Sequence, residues 1–98
     1  MSAATTPARV GTILQSEDEI NILPAGAVVL ADPEGLHRYE YSRRMPLKKL
    51  DYDYEGDVFW EPSHGEPITS SEAVHRWQLA PFLVLWLPPV EAAAEAAA

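Results

Sequence analysis

The 98-residue sequence has no cysteine, so disulfides and thiolate metal sites are excluded. It is short of positive charge: seven basic residues stand against fifteen acidic ones, a net charge of −8. General nucleic-acid binding is therefore not expected, because it needs cations that replace phosphate counterions. No apolar run is long enough for the membrane. The longest, Leu79 to Val90, carries three prolines and is about half a span. Met1 to Pro7 lacks the apolar core of a signal peptide. A cytoplasmic protein, or a component of a particle assembled in the cytoplasm, is the expectation.

Motifs of catalysis are also missing. There is no HExxH, and no two of His37, His64 and His75 have the i, i+4 spacing of a helical zinc site. Ser70 and Ser71 sit in neither GxSxG nor SxxK and read as helix-capping residues. The glycines are scattered and form no phosphate-cradling loop. Glu61 and Glu66 flank His64 in a Pro/Gly-rich loop, the one arrangement that could tune an acid or base.

What is present is a core. Hydrophobic residues make up 47% of the chain, including three Trp, four Tyr and two Phe, enough for one small domain. Residues 1–9 are small and polar and read as a disordered N-terminal segment; residues 10–89 read as the globular domain. Residues 90–98 read as a flexible Ala/Glu tail. Val10 to Leu14 is a strand candidate. Ser16-Glu17-Asp18-Glu19 is a capping box opening a short helix with Ile20, Leu23 and Ile22 as its apolar face. Ala27 to Leu30 is a β-branched strand. Asp32-Pro33-Glu34-Gly35 is a turn, and the alternating Leu36 to Tyr41 predicts the second arm of a hairpin.

Leu50 to Tyr54 and Val58 to Trp60 predict strands about a Glu55-Gly56-Asp57 turn. Thr69-Ser70-Ser71-Glu72 is a second capping box, opening a helix with Ala73, Val74 and Trp77 on one face. Phe82 to Leu87 is a continuous apolar run, expected to be a strand buried on both faces with Trp86 in the core. The sequence of capping box, short helix and apolar strand thus occurs twice. The fold expectation is α+β, mainly β: a small twisted antiparallel sheet or open β-roll of five to six strands with two short helices, the two apolar strands central.

Asp51-x-Asp53-x-Glu55-Gly56 matches the start of a calcium loop, but the twelfth position is Pro62. The pattern reads better as a strand with an acidic face, so no metal and no cofactor are expected. The strongest charge feature is the basic stretch Arg43, Arg44, Lys48 and Lys49 beside the acidic Asp51, Asp53, Glu55 and Asp57. With Tyr54 and with Trp60, expected half exposed, the residues Arg43, Arg44, Lys48, Lys49, Asp51 and Asp53 form the predicted partner-binding surface.

The series Val10-Gly-Thr-Ile-Leu, Ser16-Glu-Asp-Glu-Ile20, Leu23-Pro24-Ala-Gly26-Ala-Val28-Val29, Asp32-Pro-Glu-Gly35 and Pro81-Phe82-Leu-Val84-Leu-Trp86-Leu-Pro88 resembles small uncharacterised proteins of actinobacterial phages and their hosts. The likeness spans about two-thirds of the chain, departs over Arg43 to Trp60, and carries no catalytic residue. It implies phage origin and a binding or structural role. The functional expectation is a non-enzymatic protein-interaction domain, acting on a host or phage protein in the host cytoplasm. The alternatives are a structural component of a virion and a small hydrolase or metal-dependent enzyme using His64. A protein partner is expected, nucleic acid and membrane are not, and a homo-oligomer is compatible with the composition.

Overall fold

A computed structural model describes residues 9–54 and 56–89, with the backbone alone for residues 52–54. The expected disordered segment, apart from Arg9, and the expected Ala/Glu tail lie outside the described residues. The strands β1 (Ile13–Leu14), β2 (Val28–Ala31), β3 (Met45–Tyr54), β4 (Asp57–Pro62), β5 (Ile68–Thr69) and β6 (Phe82–Trp86) form one open sheet. Its order is β1-β6-β2-β3-β4-β5, and every neighbouring pair is antiparallel. Two short helices, α1 (Glu17–Asn21) and α2 (Glu72–Arg76), complete the α+β, mainly β architecture. The last strand inserts between the first two, so β2 and β6, each preceded by a capped helix, lie side by side.

Both helices start where side chains replace the missing backbone partners. At α1, Ser16 Oγ accepts the Glu19 N–H (3.2 Å). The Glu19 carboxylate accepts the N–H groups of Gln15 (2.8 Å) and Ser16 (3.0 Å). Those two backbone donors hold the Glu19 carboxyl below its ordinary value of 4.5. At α2, Thr69 Oγ1 accepts the Glu72 N–H (3.0 Å) and the Glu72 carboxylate accepts the Thr69 N–H (2.9 Å). This helix is wound wide: the Trp77 N–H donates to the Glu72 carbonyl five residues back (2.8 Å).

Register decides which side chains share a face. Val29 opposes Leu47 and Val84; Ala31 opposes Met45 and Phe82; Leu14 opposes Phe82; Lys49 opposes Trp60. Apart from Lys49, these side chains form the apolar core of the inner face, onto which Ile20 and Leu23 near α1, Ala73 of α2 and Leu79 pack. Trp60 is its largest fully buried residue. Burying an indole requires a partner for its N–H, and Trp60 Nε1 donates to Ser70 Oγ at 2.7 Å. Ile22, expected on the apolar face of α1, is instead 76% exposed.

Lys49 lies on the inner face too. Its Nζ donates to the carbonyls of Asn21 (2.6 Å) and Leu23 at the end of α1. That helix has no basic residue in its last turn, so a cation from β3 satisfies its terminal carbonyls and dipole. Partial burial lowers the Lys49 pKa from its ordinary value.

Two expectations are corrected. Leu36 to Tyr41 is not a strand: the β2 partners are β3 and β6, and the segment is a loop ending in a 3₁₀ turn (Glu40–Ser42). The Asp32 carboxylate accepts the N–H groups of Leu36 (2.9 Å) and His37 (2.8 Å), which removes those donors from any ladder. Nor is β6 buried on both faces. Its register against β2 slips by one residue, so that Val84 opposes Val29 but Trp86 opposes Val28. A bulge of this kind re-aims side chains, and Leu85 and Trp86 are 40% and 50% exposed.

Trp60→Ala is expected to destabilise the domain by about 3–5 kcal/mol, the cost typical of truncating a buried aromatic, and Trp86→Ala by less than half as much; urea unfolding of both variants measures this. Acid gives a second check. A carboxyl with a lowered folded pKa stabilises above its ordinary 4.5 and loses that contribution as pH falls through the folded value. Glu19→Gln, whose amide oxygen accepts at any pH, should therefore lose less stability than the parent between pH values of about 5 and 3.

Candidate functional site

The 32–44 loop is built around Asp32, which is 6% exposed and has a positive φ of 51°. Asn and Asp tolerate this left-handed conformation better than other residues with a Cβ. Its N–H donates to the carbonyls of Leu79 (3.1 Å) and Pro81 (2.9 Å), and its carbonyl accepts from Gly35 (2.9 Å) and Arg44 (3.1 Å). Arg44 also caps the turn it faces: its guanidinium donates to the Pro33 (3.2 Å) and Glu34 (3.3 Å) carbonyls. A Cβ on Gly35 would come within 2.8 Å of that group. Arg43 Nε donates to the His37 carbonyl (2.5 Å).

His37 joins this loop to the segment after α2. The Tyr39 N–H donates to Nδ1 (3.1 Å), so Nε2 carries the proton and donates to the Trp77 carbonyl (2.9 Å). His37, Tyr39 and Tyr41 then follow one another as tilted rings with centroids 5.6 and 5.9 Å apart. Arg38 lies over the Tyr39 ring and Arg76 over the Trp77 ring, at 4.8 and 5.1 Å.

Between these supports opens a cleft of about 280 Å³. Met45, Ile68 and Leu79 supply its apolar lining, Tyr41 and Trp77 stand at its sides, and His64 and Glu66 reach it from the 63–67 loop. Tyr41 is 64% exposed and Trp77 37%. Pockets for small molecules usually run from about 300 to 1,000 Å³. This one lies just below that range, a size suited to a single large side chain.

The predicted surface is not one patch. Arg43 and Arg44 are directed into the 32–44 loop, Lys49 caps α1 from the inner face, and Lys48 stands exposed on the opposite face of β3. Trp60 is wholly buried, so it is no surface anchor, half exposed or otherwise. Asp51 is exposed on the β3–β4 ribbon; the side chains of Asp53 and Tyr54, and all of Glu55, lie outside the described residues. The part of the calcium-like stretch from residue 51 to 54 runs along β3.

The histidines do not converge either. His75 pairs with Glu17 (3.3 Å), His37 is held by Trp77, and among the described residues no carboxylate bonds to His64. No group of three metal-ligating side chains forms among the described residues. Tyr41 and Trp77 line the cleft although no sequence motif marks them. The sequence pattern puts Tyr41 in a hairpin arm and Trp77 on the apolar face of a helix, and the loop's path brings them to one opening.

Asp32→Ala is expected to cost about 1–3 kcal/mol, because two inward amides lose their acceptor and a residue without a turn-forming side chain must take positive φ. Asp32→Asn, which keeps an acceptor oxygen and tolerates that conformation, should cost less. Amide hydrogen exchange at Leu36 and His37 should accelerate in the alanine variant while exchange in β2 and β6 stays slow.

No protein-family model, no curated protein and no solved structure matches the chain, so a functional reading has to come from this geometry and from the sequence pattern.

Proposed function

We propose that the chain is a non-enzymatic protein-interaction domain that receives a large apolar or aromatic side chain of its partner between Tyr41 and Trp77. The observation that carries this reading is the pair of exposed aromatics held at an apolar cleft by a hydrogen-bonded loop. Exposed aromatics over a small pocket are the usual anchors of an interface. A loop already tied down by Asp32, His37, Arg43 and Arg44 loses little further entropy on binding. The phage-type sequence pattern makes a host or phage protein the proposed partner. The rival hydrolase reading would use His64 with Glu66 at the same opening, and a single set of variants separates the two.

The test is affinity purification of the tagged full chain from its host, followed by mass spectrometry, with Tyr41→Ala, Trp77→Ala and His64→Ala run in parallel. Each aromatic truncation should reduce captured partner about tenfold or more, the effect of losing a hot spot of at least 1.4 kcal/mol. His64→Ala should retain the partner. If both aromatic variants fold and hold the full partner set, the cleft is not the interface.

A further inference from the structure

The two aromatic sides of the cleft are joined through one imidazole. His37 is partly buried, and both of its ring nitrogens are used. Nδ1 accepts the Tyr39 N–H (3.1 Å), and Nε2 donates to the Trp77 carbonyl (2.9 Å). The first bond fixes the turn that carries the tilted rings of Tyr39 and Tyr41, whose centroids lie 5.9 Å apart. The second holds the backbone on the Trp77 side, where the Trp77 N–H is itself fixed on the Glu72 carbonyl (2.8 Å). Tyr41 and Trp77 both line the cleft, so His37 touches the support of each. This use of the ring needs one acceptor nitrogen and one donor nitrogen, a combination that only the neutral imidazole has.

We propose that His37 is a pH-sensitive positioning residue: neutral, it holds the Tyr41 and Trp77 sides of the cleft in place, and protonated, it releases the Tyr41 side. As regulation of binding, this rests on the reading of the cleft as the interface. In the imidazolium both nitrogens are donors, so the Nδ1 proton meets the Tyr39 N–H and that bond is lost. The bond to the Trp77 carbonyl survives, because Nε2 is a donor in both states. Protonation therefore acts on one side alone. The turn over 37–39 opens, and the ring row of Tyr39 and Tyr41 loses its fixed place beside Trp77. Histidine is the side chain whose charge ordinarily changes between about pH 5 and 8, so the cleft is ordered at neutral pH and loosens in mild acid.

The charges around the ring are of both signs, so neither protonation state is locked in. Within the loop, the Asp32 carboxylate accepts the His37 N–H (2.8 Å) and attracts the imidazolium. Arg43, whose Nε donates to the His37 carbonyl, and Arg38, 4.8 Å over the Tyr39 ring, repel it. Glu34, Glu40 and Arg44 complete the loop's charges and are exposed. On the Trp77 side, Arg76 lies over the indole and 3.9 Å from Glu72, so this pair adds little net charge. Two further histidines titrate in the same range and need controls: His64, which lines the cleft with Glu66, and His75, paired with Glu17 at 3.3 Å. The Nδ1 bond reaches a backbone N–H two residues on, the pattern of an Asx turn. An asparagine at position 37 therefore supplies the same acceptor without the charge change.

The test is amide hydrogen exchange of the free full chain by NMR, from about pH 8 to about pH 5, a range above that in which ordinary carboxyls protonate. Rates are read as protection relative to an unstructured chain, which removes the intrinsic pH dependence of exchange. Protection of the Tyr39 amide should fall about threefold to tenfold as the His37 ring signals titrate, the range for one net hydrogen bond. The Leu36 and His37 amides, held by Asp32, should keep theirs. His37→Asn should show no step, with Tyr39 protected throughout, and His64→Ala and His75→Ala should keep the parent's step. If His37→Asn does not fold, His37→Gln decides, since it cannot titrate and must give a flat profile. Constant Tyr39 protection in the parent overturns the proposal, as does a step that persists without His37 or vanishes in both control variants. Partner capture at about pH 7.5 and about pH 5.5 is the second arm. Capture by the parent should fall in acid and capture by His37→Asn should not; equal capture by the parent at both values overturns the regulatory role. If Tyr41→Ala and Trp77→Ala both hold the partner, the cleft reading fails, whereas the exchange step is measured without any partner.

Discussion

The hydrogen bond from the Trp60 indole to Ser70 holds the inner layer together. An indole buried without a partner for its N–H would carry an uncompensated desolvation cost. Ser70 supplies the partner from the first residue after the Thr69 cap, so the largest side chain of the core is joined to the start of α2. Trp60 also sits opposite Lys49 on one side and Ile68 on the other. One residue therefore sets the distance between the β3–β4 ribbon, the short edge strand β5 and the helix that follows. The floor of the cleft, through Ile68 and Leu79, inherits its position from this arrangement.

Three of the seven cations are used for architecture. Arg43 and Arg44 neutralise carbonyl dipoles within a loop that would otherwise leave them unpaired, and Lys49 does the same for the end of α1. This leaves the acidic excess outward, where it favours solubility. It also means that the cations of the segment from Arg43 to Trp60 do not gather in one patch. Two cations adjacent in sequence are separated when strand alternation sends Lys48 out and Lys49 in.

The two faces of the sheet carry different surfaces. The inner face is packed by residues of both helices and opens at the cleft, which Tyr41 and Trp77 line. The outer face owes its apolar width to one extra residue in β6, which moves a tryptophan from the side where alternation would place it.

Features set by neighbours in the chain were legible in the sequence: both capping boxes, the Asp32–Gly35 turn, the β2 and β6 strands and the mainly-β class. Each depends on residues within about five positions, where hydrogen bonding and steric preference act without knowledge of the fold. The tertiary structure decided the rest. It paired β2 with β3 and β6, because Asp32 sequestered the amides of the segment that looked like its partner. It exchanged the environments of Trp60 and Trp86, because burial follows register and a one-residue slip reverses a side chain's face. It dispersed the expected basic patch and assembled the cleft from residues 41, 45, 64–68 and 77–79, because those positions meet only through non-local strand pairing and the loop's path, which no local pattern encodes.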